Sequence, residues 1–346
     1  MSWYAVESVD EAIDTTRSFL FPIEPGRWLR LALIAFFVGV GGSGASILSN
    51  TASLPANMPA EPTPQQPAPV PSELSLETLP IDPLLIAAII GGVVILGLGL
   101  TLISETLRLV LYDALRTDTV RIRGPARRRF GQAVRLFGFK LTVSVVFVLP
   151  FVVLGAVIAL DTVFLGGPAL LVGGAVLAVC LVLWFVGYLI ISRVTNEFVT
   201  PVMVRTDSGV LSAWRRFWPV VRNDLAQFGV YVVVHFLLLL AISIGQTILA
   251  AIVFGIIGTV GALGGLLVVL GVFGGLNAAL ASTVGVIALG AIVLLTVVVA
   301  TVCYLPIKIV VLTYVFSYEL SVLGAADEEL RLLPVDDDTE TTANPN

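Results

Sequence analysis

The chain alternates between long uninterrupted apolar stretches and short segments that hold most of its charged residues. Spanning about 30 Å of hydrocarbon takes about 20 helical residues, and several of the stretches are that long. They lack the alternation of polar and apolar residues that is typical of outer-membrane strands, and a lipid-facing backbone must satisfy its hydrogen bonds within the segment. The pattern therefore predicts an all-α fold, a polytopic transmembrane helical bundle.

Reading the apolar stretches against their charged flanks predicts six spans, with eight as the alternative. The difficulty lies at 252–290, where ten glycines interrupt an apolar sequence that has no charge to mark a boundary. This region is an external apolar loop with short helical pieces, a re-entrant hairpin, or two further spans; close helix packing explains the glycines best. The six spans are 28–49, 83–104, 140–160, 168–192, 228–252 and 284–306.

All 19 lysines and arginines fall on one side of this six-span arrangement. They lie at Arg17–Arg30, around the linker 113–139 at Arg108–Lys140, in the linker 193–227 at Arg193–Arg222, and after the sixth span at Lys308 and Arg331. Cytoplasmic loops carry an excess of Lys and Arg, so the basic side is predicted to be cytoplasmic, as are both termini. The membrane bundle, 83–325, is placed in the cell membrane.

Residues 1–27 are predicted to contain a short cytoplasmic amphipathic helix. Ser8 and Glu11 form the S-x-x-E pattern of a capping box, which places the helix N-terminus at Ser8. The apolar positions that follow at helical spacing are Val9, Ala12, Ile13, Thr16 and Leu20. Because the polar face is acidic, we expect the helix to pack on the cytoplasmic ends of other helices and not on anionic lipid.

Two segments read as irregular structure. Segment 50–82 holds eight of the 19 prolines and is predicted to be an extracellular, extended and flexible loop. Segment 326–346 is acidic and is predicted to be a solvated cytoplasmic tail.

Composition agrees with a membrane protein. Apolar residues make up 57% of the chain and charged residues 12%, against about 25% charged in an average soluble domain. Mean hydropathy is +1.01. The two cysteines, Cys180 and Cys303, lie inside apolar stretches and indicate neither a disulfide framework nor a zinc site.

One basic motif, RRFxxxVR, occurs twice, at 128–135 and at 215–222, and Arg-Thr-Asp precedes each copy, at 116–118 and 205–207. Each copy comes before a pair of spans of the same orientation, which indicates a parallel internal repeat. Aromatic and arginine side chains on one helix are typical of the headgroup level, so the expected partner is the lipid bilayer, with a protein partner at the cytoplasmic face as a further hypothesis. The candidate membrane-interface residues are Arg128, Arg129, Phe130, Trp214, Arg215, Arg216, Phe217 and Trp218.

His235, the single histidine, lies inside the fifth span and is the candidate intramembrane polar residue. Ionisable groups within the membrane are often functional, whereas a neutral imidazole bonded to a neighbouring helix needs no such role. The glycines of GVGGSG, at 39–44, match a dinucleotide fingerprint but lie inside a span, where a packing face is the better interpretation. The sequence lacks a Walker lysine loop, a nucleophile elbow and a metal-ligand cluster, so no enzyme, cofactor, metal site or nucleic-acid partner is predicted.

The stretch Asn196–Met203, continued by Gly209, Ala213 and residues 215–218, resembles a signature of uncharacterised haloarchaeal multi-pass membrane proteins, as does the opening of the chain. The predominance of arginine over lysine and the isoelectric point near 5.0 agree with such a source. A weaker similarity is to the membrane domain of some glycerophosphodiester phosphodiesterases. There the acidic residue before the Gly has its counterpart in Asp207, shifted in position, and no catalytic domain is present, so this resemblance implies a related fold and not hydrolysis.

The sequence thus favours a non-enzymatic membrane protein with a structural or partner-binding role. The alternative is a transporter of small solutes or lipids that uses the bundle interior near His235 and the Gly-rich region 252–290.

Overall fold

A computed structural model describes residues 4–41, 83–159 and 168–333, which fold into helices joined by short turns. No strand occurs within these ranges, in agreement with the all-α prediction. A π-helical turn, Thr195–Val199, follows the helix that ends at Val194, and a 3₁₀ turn, Glu328–Leu330, follows the helix that ends at Ala326. The helices are α1 Tyr4–Leu20, α2 Pro25–Gly41, α3 Pro83–Thr117, α4 Arg123–Ala159, α5 Pro168–Val194, α6 Thr200–Thr206, α7 Val210–Asn223, α8 Leu225–Gly271, α9 Leu276–Ala281 and α10 Thr283–Ala326.

Five of the described helical segments are long and apolar enough to cross a membrane: α3, α4, α5 with its continuation to Thr206, α8 and α10. The chain therefore has the helices of a multi-pass membrane protein. The first predicted span, 28–49, coincides in part with α2, and residues 42–49 lie outside the described residues. The predicted loop 50–82 and the tail from residue 334 onward also lie outside them.

Helix α1 begins earlier than the capping box predicted. It starts at Tyr4, so Ser8 lies inside the helix and is buried, and the predicted N-terminus at Ser8 is wrong. The S-x-x-E pattern reflects only the residues within it. Packing against α10 adds another helical turn before Ser8. In that contact the Tyr318 hydroxyl donates to the Ala5 carbonyl oxygen at 3.1 Å. Of the predicted apolar positions, Ala12, Thr16 and Leu20 are buried, whereas Ile13 is exposed.

Helices α8 and α10 form a long antiparallel hairpin closed by α9. Their contacts run in opposite directions along the two helices: Phe254 meets Tyr304, and Gly261 meets Thr296. The approach at Gly261 is close, since a Cβ atom there would lie 2.2 Å from Thr296 Oγ1. The fifth span was expected to end near 252, but α8 continues to Gly271. Most of 252–290 is therefore helical, and at least one of its glycines permits close helix packing.

The packed core lies at the basic end of the bundle and not halfway along the spans. Buried side chains are dense at 104–115, 195–204 and 316–324, where α3, the π-helical turn and α10 meet. The apolar halves of the long helices expose many of their Leu, Val and Ile side chains. This distribution suits a protein in lipid, where apolar side chains gain nothing by leaving hydrocarbon, so polar contacts and close packing hold helices together.

Candidate functional site

The first basic motif lies on α4 and divides between the surface and the interior. Arg128 is exposed but its Nη2 reaches Asp113 Oδ2 at 2.7 Å. Arg129 is buried, with 3% of its side chain exposed, and pairs with Asp113 at 3.0 Å and with Asp207. Phe130 is 51% exposed. Arg129 therefore joins α3, α4 and the end of α6 and does not face lipid.

The second basic motif lies on α7, whose outer and inner faces have different composition. Arg215, Arg216 and Trp218 are exposed, and Arg216 pairs with Glu329 at 2.5 Å. Phe217 is fully buried and stacks on Phe198, with ring centroids 4.9 Å apart. Trp214 is half-buried. The candidate membrane-interface residues of the second motif are thus divided between the core and the surface.

Motif-equivalent residues of the two copies occupy opposite environments. Arg129 is buried whereas its counterpart Arg216 is exposed, and Phe130 is exposed whereas Phe217 is buried. The Arg-Thr-Asp segments that precede the two copies have similar backbone conformations at their last residue. Asp118 and Asp207 both have positive φ angles, 47° and 50°. Each aspartate ends one helix shortly before the basic helix begins.

The π-helical turn Thr195–Val199 supplies the central acidic residue of the interior. In such a turn some carbonyl groups lose their usual helical partners, and π turns frequently mark functional sites. Here the Thr195 carbonyl accepts from the backbone N–H of Thr200 and also from Thr200 Oγ1 at 2.7 Å, and the Tyr112 hydroxyl lies 3.3 Å from the Asn196 carbonyl. The turn directs Glu197 into the core, where it is buried.

His235 lies beside Glu197 in this interior. The Tyr231 hydroxyl donates to Glu197 Oε2 at 2.7 Å and lies 3.1 Å from His235 Nδ1. The Nε2 atom of His235 is 3.6 Å from Glu197 Oε1, and Arg193 Nε donates to that same oxygen at 2.7 Å. Glu319 approaches from α10, with its Oε2 atom 3.2 Å from the Tyr112 hydroxyl.

A second layer of charge flanks this group. Lys140 Nζ pairs with Glu105 Oε1 at 2.7 Å across α4 and α3, while Arg108 donates to Asn196 Oδ1 at 2.9 Å. Glu105 and Arg108 are both buried. The Oε2 atom of Glu105 has no hydrogen-bond partner among the described residues. Buried charges are costly unless paired, and in this group Glu105, Glu197 and Glu319 lie among Arg108, Lys140 and Arg193.

An aromatic chain connects the interior face of α7 to this polar group. Phe217 stacks on Phe198, whose ring lies 4.9 Å from Tyr231 in an edge-on contact. Tyr231 in turn contacts the ring of His235 at 5.1 Å. Of the residues predicted to be functional, the structure therefore joins His235 and Phe217, while Arg129 lies in a separate ion-pair network.

The arrangement offers three side chains that together suit a metal ion. Glu197, His235 and Glu319 each place one ligand atom within 4.8 Å of the others, and all three are buried. No carboxylate lies within one turn of His235 along the chain, so local spacing does not reveal this group. Glu197 belongs to the Asn196–Met203 signature, which was the only local signal available, and nothing marked Glu319.

The comparisons with known proteins give a family but no activity. No curated protein and no solved structure matches the chain. One family model matches residues 3–333, which is most of the chain. Its description is a family of unknown function, DUF7544. The chain belongs to this family.

Proposed function

We propose that this chain is a non-enzymatic, multi-pass protein of the cell membrane whose basic end binds anionic lipid headgroups and so serves a structural role. In this proposal the chain crosses the membrane six times and has both termini in the cytoplasm. Short amphipathic helices, α1 and α7, lie on the cytoplasmic side. The main support for the proposal is the chemistry of the exposed side chains at the basic end of the bundle.

The observation that carries the proposal is a stripe along the outer face of α7. Its members are Leu211, Arg215, Trp218 and Arg222, spaced by four, three and four residues, and all four are exposed. Leucine and tryptophan enter the acyl boundary while arginine reaches phosphate groups, which is the pattern of an interfacial helix. Phe217 on the opposite face fixes this helix to the core, so the stripe faces outward.

Helix α4 carries a matching stripe at its N-terminal end. Arg123, Arg127, Phe130 and Val134 repeat the same spacing and are exposed. Arg123 also lines an open groove together with Arg30 and Arg121. Two basic, partly aromatic stripes and an arginine groove at the same end of the bundle suit a surface rich in phosphate.

We expect the substitutions Arg215→Gln and Arg222→Gln together to weaken binding of phosphatidylglycerol by tenfold to thirtyfold at moderate salt. Each arginine near an anionic surface contributes about 1 kcal/mol. Bound lipid is counted by native mass spectrometry on the delipidated protein, titrated with phosphatidylglycerol or with phosphatidylcholine. The difference should shrink as salt rises, because screening shortens electrostatic reach to about 3 Å at 1 M.

The matched control replaces two exposed arginines outside the stripe, Arg17 and Arg205, by glutamine. It removes the same charge and should bind phosphatidylglycerol nearly as well as the wild-type chain. Equal weakening in both double variants, or equal binding of the two lipids by the wild-type chain, would contradict the proposal.

The proposed topology gives a separate prediction. In a chain with Cys180 and Cys303 replaced by alanine, a cysteine at Ser72 should react with a membrane-impermeant maleimide on intact cells. A cysteine at Arg127 or Ser18 should react only after the cells are made permeable, because the positive-inside rule places both in the cytoplasm. Labelling of the Arg127→Cys variant in intact cells would show that this end of the bundle lies outside the cell, contrary to the proposed topology.

The internal repeat belongs to the same proposal. Its support is the shared Arg-Thr-Asp ending, where Asp118 and Asp207 adopt the same left-handed conformation before a basic helix. The opposite burial of Arg129 and Arg216 then reflects divergence after duplication, with each basic helix rotated to bury a different face.

Transport of a cation or small solute is the second candidate, and the buried group at Glu197, His235 and Glu319 favours it. Ionisable side chains inside membrane bundles often line ion paths. The Gly-rich region, however, begins about 25 Å from His235 along α8, at 1.5 Å per residue. The two features of the predicted transport site are therefore far apart. Flux through the purified protein in liposomes would favour this candidate, and absence of flux for a broad panel of solutes would count against it.

A further inference from the structure

Glu197, His235 and Glu319 come from three different elements and meet at one point in the core. Glu197 belongs to the π-helical turn, His235 to α8 and Glu319 to α10. Their ligand atoms lie within 4.8 Å of one another. His235 is 1% exposed, so its ring nitrogens must find partners within the protein.

The hydrogen bonds of Tyr231 determine which nitrogen of His235 carries the proton. A hydroxyl has one proton to donate, and the Tyr231 hydroxyl lies closest to Glu197 Oε2, at 2.7 Å. The 3.1 Å contact with His235 Nδ1 is then donated by the imidazole N–H. A neutral His235 therefore presents the lone pair of Nε2 toward Glu197 Oε1.

Glu197 Oε1 already accepts from Arg193 Nε, whereas the lone pair of His235 Nε2 receives no donor from this carboxylate, so a cation between the two atoms would serve both. The separation of 3.6 Å between His235 Nε2 and Glu197 Oε1 is longer than a hydrogen bond. Two ligands that each lie about 2.1 Å from a tetrahedral metal ion are about 3.4 Å apart. The spacing therefore suits a bound metal ion better than a shared proton.

Each of the three side chains is also oriented by a second residue. Tyr231 accepts from the far nitrogen of His235, Arg193 donates to Glu197, and Tyr112 contacts Glu319. Histidine and carboxylate ligands of metal ions characteristically have such outer partners, which fix the ligand geometry. Contacts with three other side chains therefore orient all three ligand side chains.

We propose that Glu197, His235 and Glu319 form a binding site for a divalent transition-metal cation of the Zn²⁺ type. Two carboxylates balance the charge of the ion, and one imidazole with two carboxylates selects a transition metal over calcium, which takes six to eight oxygen ligands. Arg193 Nε donates to Glu197 Oε1 at 2.7 Å, so one carboxylate of the site already has a basic neighbour. The site is independent of the proposed lipid stripes on α4 and α7.

The test uses the full-length chain purified with a tag that contains no histidine, because His235 is the only histidine of the natural sequence. The protein is stripped with a chelator, dialysed and titrated with Co²⁺. We expect one Co²⁺ per chain by elemental analysis, a visible absorption band of low-symmetry Co²⁺, and loss of that band on adding Zn²⁺. Absence of stoichiometric Co²⁺ from the well-folded wild-type chain would overturn the proposal.

Variants separate the ligands from their supports. Glu319→Gln keeps the size of the side chain and should abolish the band, whereas Tyr231→Phe removes an outer partner and should weaken Co²⁺ binding by about tenfold to a hundredfold. Glu329→Gln, at an exposed carboxylate paired with Arg216, is the matched control and should bind as the wild-type chain does. Elution volume and thermal midpoint report folding of each variant. Equal binding by the well-folded Glu319→Gln variant and the control would also overturn the site.

Discussion

Replacing Arg129 by alanine should lower the free energy of unfolding by about 3 kcal/mol, the lower end of the range for breaking a buried ion pair. The substitution leaves Asp113 buried with only the exposed Arg128 as its partner and removes the link to Asp207. The loss is read as a lower thermal midpoint in detergent, followed by intrinsic fluorescence or by the loss of monodisperse protein after heating.

Arg216 is the matched control, since it holds the equivalent position in the second copy of the motif. Its partner Glu329 is 75% exposed, and exposed pairs contribute at most about 1 kcal/mol. Arg216→Ala should therefore shift the midpoint by no more than a third as much. Similar shifts for the two variants would show that Arg129 is not the buried link among α3, α4 and α6.

The transmembrane class could be predicted because it rests on properties that repeat along many residues. Each long helix carries its own apolar signal, and the five such helices correspond to five of the predicted spans. The predicted end of the fifth span near residue 252 is wrong because the apolar signal does not change there. Without a charge or a proline, nothing in the sequence distinguishes a helix that stops from one that continues to Gly271.

The candidate metal group could not be predicted, because its members are brought together only by tertiary packing. Glu197 and Glu319 lie on separate elements, and each looks by itself like a polar residue near the end of a span. His235 was identified because a lone ionisable residue within an apolar stretch is conspicuous. Its partners depend on where α10 and the π-helical turn meet, which local spacing does not determine.

The two copies of RRFxxxVR show a further limit. The motif gives residue identity, but burial depends on which face of each helix meets the core. On α4 the core contacts Arg129, Ala133 and Leu136, whereas on α7 it contacts Ala213 and Phe217. Identical residues thus acquire different roles, and a helix rotation accounts for the difference.

Replacing Phe217 by alanine should destabilise the protein by about 3–5 kcal/mol, the usual cost of truncating a fully buried phenylalanine. The ring stabilises the protein by more than its buried apolar area alone accounts for, because it also stacks on Phe198 at 4.9 Å and contacts Phe228 edge-on at 5.7 Å. Removing it leaves a cavity beside the aromatic chain that leads to His235. The thermal midpoint in detergent measures the loss, and Phe217→Leu, which refills much of the volume, should recover part of it.

Phe130 provides the matched control, because it is the motif equivalent of Phe217 on α4 and is 51% exposed. Phe130→Ala should change the midpoint little in detergent, since a substitution away from the core usually shifts stability by no more than about 0.5 kcal/mol. The arginine and phenylalanine substitutions should therefore show opposite patterns. The phenylalanine should stabilise the protein in the second copy of the motif, and the arginine in the first. Equal losses at Phe130 and Phe217 would mean that the two basic helices bury the same face, contrary to the rotation described above.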